Sequence, residues 1–132
     1  MIDNGTIKSF VQNTLGCGCP EEVFRTIHCE HTVPLGNEIV LNSVITIGDR
    51  LLIYVMHADS KEFIEKKLAF LISSGKKERD AKGLNRLRLV IVADDPFLDR
   101  KSVQSQFDGL TGNDEKIHLH IIGKENALWN AP

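Results

Sequence analysis

The sequence predicts an α/β protein, a single three-layer domain built on a mixed sheet of about four strands. Three observations carry this prediction. Leu51–Met56 and Leu89–Ala93 are short, wholly apolar runs, the pattern of strands buried on both faces. Amphipathic helical segments alternate with strands from Leu51 to Ile122, and such crossovers place parallel strands side by side with a fixed hand. If those strands neighbour one another in sequence order, both crossover helices fall on one face. Two N-terminal helices must then cover the other.

The elements follow in order. Thr6 is placed to cap a first helix whose Ile7, Phe10, Val11 and Leu15 share one side, with Gly16 as its stop. Pro20, Glu21 and Glu22 have the chemistry of a second helix's first turn, which the pattern carries to His28–His31. Residues 1–36 therefore read as an N-terminal helical segment. Residues 37–122 form a ββαβαβ core and 123–132 a polar tail. In the core, Ile39, Leu41, Ile45 and Ile47 fall on one face of an antiparallel first edge strand, and Gly48-Asp49 makes the hairpin turn. Asp59 or Ser60 opens a third helix with Ile64, Leu68, Leu71 and Ile72 inward, and Gly75 is its expected end. A polar, basic connection, Lys76–Arg88, leads to Leu89. The fourth helix carries Val103, Phe107 and Leu110, and Ile117–Ile122 closes the sheet as a half-exposed edge.

Bulk properties narrow the function classes. The 132 residues are 42% hydrophobic and 26% charged, with a formal charge of −2, a balance that gives no basic surface for nucleic acid. No apolar run is long enough to span a bilayer, and the first ten residues lack the basic and apolar regions of a signal peptide. Three cysteines without an export signal point to a reducing cytoplasm and to free thiols or metal thiolates.

Two regions carry candidate chemistry. The first is the turn Leu15-Gly-Cys-Gly-Cys-Pro-Glu-Glu-Val23. Cys19 stands at the expected helix N-cap, where amides and the helix dipole favour a thiolate, and Cys17 lies one glycine away. Cys17 and Cys19 are thus candidate ligands for zinc or an iron–sulfur cluster, or a thiol redox pair. Two ligands do not complete such a site, and a homodimer would supply four. Cys29, with His28 and His31, lies about 15 Å away if the second helix is continuous, and forms a separate cluster of helix-end residues. The competing reading is a tight turn with both thiols buried and inert.

The second region is the carboxyl edge of the sheet, where His57, Asp59, Asp94, Asp95 and Lys124 converge at the ends of parallel strands. Asp59-Ser-Lys-Glu62 also reads as a capping box and Asp95-Pro96 as an N-cap, which leaves His57 and Asp94 as the weak catalytic candidates. His118 and His120 share the spacing of a two-histidine chelate, or simply blunt an edge strand. Trp129 is expected to pin the tail or fill a partner's groove.

Asp49, together with Asp59-Ser-Lys61, resembles the acidic-x-Lys signature of restriction-endonuclease-like nucleases. Their core likewise has a helix, a hairpin and a later helix and strand. The resemblance implies metal-dependent hydrolysis, with acid and lysine at alternate positions of one strand. Here Asp49 falls in the hairpin turn while Asp59 and Lys61 straddle a helix start, so no catalytic role is carried over. The expected function is a small cytoplasmic thiol protein using Cys17 and Cys19. The alternatives are a non-catalytic binding or scaffold domain, dimeric through an edge strand or the N-terminal helices, and a metal-dependent hydrolase using the acidic rim. The sequence does not identify a small-molecule ligand.

Overall fold

The computed structural model describes residues 4–16, 21–36, 38–48, 50–58, 60–93, 99–112 and 114–123. Its centre is a five-stranded mixed sheet in the order β1-β2-β3-β4-β5: Ile27–Gly36, Ile39–Ile47, Leu51–His57, Arg86–Val92 and Ile117–Ile122. β1, β2 and β3 form an antiparallel meander, and β4 and β5 continue parallel to β3. The α/β class and the parallel half agree with the sequence pattern. The strand count does not.

The extra strand replaces most of the second helix. Residues Glu21–Arg25 make only a short 3-10 turn, and the chain from Ile27 onward is extended. Ile27, Cys29, Val33 and Leu35 are the half-buried positions of β1, with exposed residues between them, an alternation of period two that favours a strand. The Pro-Glu-Glu signal starts a turn, and no stripe at helical spacing extends it. His28–His31 are therefore strand residues rather than a helix end, and the helical segment does not run to residue 36.

β3 and β4 dictate the layers. On one face Leu52, Tyr54, Met56, Leu87, Leu89 and Ile91 pack beneath α2 (Lys61–Ala81) and α3 (Arg100–Thr111). On the other, Ile53, Val55, Val90 and Val92 meet Ile7, Phe10, Val11, Leu15 and Phe24. Those five come from α1 (Asn4–Ser9), the π-helical turn Phe10–Thr14 that continues it, Leu15, and the 3-10 turn. Each such burial is worth about 1.5–3 kcal/mol. Lys8 adds an ion pair to Glu21 and stands 5.8 Å over the Phe24 ring.

Helix α2 outruns its expected stop. Gly75 lies inside it, facing β4, and a β-carbon there would stand 2.5 Å from Leu87 Cδ2. The residue is a close-approach glycine, not a C-cap, and the first part of the basic connection is helix. Ser60 is the N-cap of α2, accepting from the Phe63 amide at 3.2 Å, and with Phe63 three residues on the cap is a single bond and not the box expected from Asp59 to Glu62. Asp99 caps α3 through Ser102 N, and α3 buries Thr111 where Leu110 was expected, leaving Leu110 outside. Asp59, Asp95 and Pro96 lie outside the described residues.

β2 also departs from a single inward face. Ile39 and Leu41 belong to the core beneath α2, whereas Ile45 and Ile47 belong to the N-terminal core. The switch falls at Asn42, opposite Thr32, whose φ of 54° is unusual for a β-branched residue. There β2 leaves β3, and the Asn42 side chain accepts the His57 amide at 3.0 Å in place of a ladder bond. The distal end of the β1–β2 hairpin then lies on α2, with Val33 and Leu35 packed on its core and Glu38 3.8 Å from Lys67.

The Gly75 contact is testable. Gly75→Ala gains about 1 kcal/mol of helix propensity but overpacks Leu87, for a net loss of about 1–2 kcal/mol. Paired with Leu87→Val, which removes the clashing methyls, the double variant should be more stable than the sum of the two losses by about 1 kcal/mol. Denaturant unfolding of all four proteins measures this, and strictly additive losses would refute the contact.

Candidate functional site

Leu15, buried and followed by Gly16 at φ +69°, leads into the cysteine turn, and the chain is next described at Glu21. Cys17, Gly18, Cys19 and Pro20 lie outside the described residues. The 3-10 turn that follows has only five residues, so the strong helix dipole expected to lower the Cys19 pKa is missing. A positive group does stand at the start of the turn. Arg88, half-buried on β4, donates from Nη1 to the Leu15 carbonyl at 3.1 Å.

The same Nη1 lies 2.8 Å from His120 Nε2 on β5, and Arg86 Nη1 lies 3.3 Å from His118 Nε2. A guanidinium only donates, so both imidazole Nε2 atoms accept and both histidines are neutral, with the proton on Nδ1. The pKa of His120 is pushed down to about 4 by burial first, then by Arg88 and His118. That of His118 is lowered by burial, Arg88 and Arg86, with Glu115 and Asp114 opposing. Among the described residues neither Arg86 nor Arg88 has an ion pair, and the buried Arg88 Nε has no hydrogen-bond partner. The result is two arginines without carboxylates on the sheet face that Leu15 covers. The sequence separates these groups into a basic loop and an edge strand. The period-two pairs Arg86-x-Arg88 and His118-x-His120, on strands that turn out to be neighbours, were the available signal. With its Nε2 engaged by an arginine, neither histidine presents a lone pair for the chelate their spacing suggests.

The cluster expected at Cys29, His28 and His31 is rearranged by the strand, which drops His28 and adds Ser43. On β1, Cys29 and His31 share one face, with Cys29 Sγ 3.8 Å from His31 Nε2, and His31 Nδ1 3.3 Å from the fully buried Ser43 Oγ on β2. Burial pushes the Cys29 pKa up, and the neighbouring Glu30 adds to this. The thiol is therefore protonated at neutral pH. His28 is exposed and separated from them by strand alternation. Residues i and i+2 share a face in a strand, so the strand and not the expected helix end brings Cys29 and His31 together.

At the carboxyl edge, His57 ends β3 half-buried, with its amide on Asn42. Asp49, Asp59, Asp94, Asp95, Lys124 and Trp129 lie outside the described residues. The element order includes the helix, hairpin, later helix and strand that the nuclease resemblance implies. Lys61, however, opens α2 and pairs with Glu65 at 3.5 Å, so it does not stand on a strand as that signature needs. Among the described residues no three His, Cys, Asp or Glu side chains form a metal-binding group.

The arginine–histidine pairing has a measurable signature. With Arg88 in place, the His120 imidazole should titrate near pH 4 by NMR, and Arg88→Met should move it upward, toward but not to the ordinary value near 6.5. Because the unfolded chain binds this proton first, His120 lowers stability as pH falls from about 6.5 toward 4. A His120 titrating near 6.5 in the intact protein would exclude the geometry.

Beyond this geometry the chain has no counterpart to draw on: no family model, no curated protein and no solved structure matches it.

Proposed function

We propose that this is a thiol protein whose Cys17-Gly-Cys19-Pro turn binds a thiophilic metal or an iron–sulfur cluster. The observation that supports the reading is the Arg88 bond to Leu15 O. It ties the start of the turn to the sheet two residues before Cys17 and brings a permanent positive charge there. Thiolates form where cationic groups stabilise them, and a preorganised turn keeps ligand geometry at low entropic cost. Arg88 and Arg86, without carboxylate partners among the described residues, suit a site that accumulates negative charge from two thiolates. Neutral His118 and His120 leave that positive charge unaltered at physiological pH.

The two other readings make different demands. A binding or scaffold domain needs inert thiols. A hydrolase of the carboxyl rim needs divalent-ion binding that survives loss of the cysteines. Elemental analysis and an absorption spectrum of untagged protein purified without oxygen separate the three. The expected result is near-stoichiometric zinc or iron, or one metal centre per two chains, held at the turn, and this share of the metal is lost in Cys17→Ser/Cys19→Ser. Arg88→Met should retain the fold and weaken metal retention against a competing chelator by about tenfold, equivalent to about 1.4 kcal/mol. Metal-free protein whose Cys17 and Cys19 react only after denaturation would end this proposal.

A further inference from the structure

We propose that Cys29 and His31 on the free edge of β1 are half of a second metal site, completed by the same residues of a second copy of this chain. Zinc bonds of about 2.3 Å to sulfur and about 2.0–2.1 Å to imidazole, at a tetrahedral angle, set the ligand atoms about 3.6 Å apart. The Cys29 Sγ to His31 Nε2 distance of 3.8 Å already approaches that bite. Ser43 supplies the outer contact that such sites use. Its buried hydroxyl stands 3.3 Å from Nδ1, the arrangement that fixes the ring and aims the Nε2 lone pair at the metal. On binding, the ion takes the place of the thiol proton, which leaves to solvent, and is held by thiolate and neutral imidazole.

Two ligands do not hold zinc, and among the described residues no third joins them. The missing pair follows from where the first pair sits. Among the described residues β1 pairs only with β2, and no strand lies on its other edge. A second β1 laid antiparallel about a two-fold axis at Glu30 places Cys29 opposite His31 of the other copy, and His31 opposite its Cys29. All four then lie on one face, with β-carbons of facing residues about 5 Å apart. This is a Cys2His2 set. The same register opposes Glu30 to itself on the other face, which disfavours pairing without the metal, and two short strand edges alone bury too little for a stable dimer. Pairing is therefore metal-dependent.

The proposal is independent of the cysteine turn and is tested with that turn disabled. Full-length Cys17→Ser/Cys19→Ser is titrated with zinc, and with cobalt(II) as a spectroscopic probe, while light scattering follows the mass. The expected result is half an equivalent of metal per chain, a thiolate-to-cobalt charge-transfer band, a doubled mass, and reversal by chelator. Adding Cys29→Ser or His31→Gln should abolish all of these, and His28→Gln, on the opposite face, should leave them intact. Should the double serine variant fail to fold, zinc stoichiometry in the unsubstituted protein and in Cys29→Ser alone must differ by half an equivalent. A full equivalent per chain without mass change overturns the two-fold site, and no binding overturns the site altogether.

Discussion

The structure depends on two neighbouring apolar runs, Leu51–Met56 and Leu89–Val92, that have no solvent-facing side. β3 and β4 carry apolar residues at successive positions, so leaving either face open would expose side chains worth about 1.5–3 kcal/mol each in burial. The long helices α2 and α3 cover one face. The other falls to a much smaller element, a six-residue α-helix, its π-helical continuation and a 3-10 turn. Both layers carry polar ties besides packing: Arg88 to Leu15 O and Lys8 to Glu21 in the thin one, Arg100 to Ile121 O and Gln106 to Glu65 O in the thick one.

The parallel half of the fold was legible because its signals are strong and concordant: long apolar runs, helical stripes, and glycine or polar punctuation between them. The N-terminal half was not, because local chemistry and periodicity disagree there. Pro20, Glu21 and Glu22 signal the start of a helix, but the residues after Arg25 alternate every second position, and pairing with β2 wins. Gly75 misled for a different reason. A glycine at the end of a helical stripe reads as a stop, but its meaning was set by Leu87, a residue twelve positions away that the helix must approach.

The candidate sites divide along the same line. The cysteine turn could be singled out from one short stretch, since clustered cysteines announce themselves in one dimension, and the carboxyl edge from the strand ends that a parallel sheet brings together. Arg88 with His120, and Cys29 with His31 and Ser43, exist only once strand neighbours and strand faces are known. Single arginines and histidines scattered through a sequence carry no such information. Their placement across adjacent strands creates the two polar clusters and helps burial hold His120 neutral.

The change of face at Thr32 and Asn42 divides β1 into two independent halves. Residues 33–35 are clamped against α2, and their side chains answer to the core. Residues 27–31 turn toward the opposite side of the sheet, where their neighbours belong to the thin layer and to the open edge. Substitutions in one half are thus largely uncoupled from packing in the other, although ten consecutive residues form one strand. A chain built this way can alter what its edge presents without renegotiating the interior, so its surface chemistry is free to diverge faster than its fold.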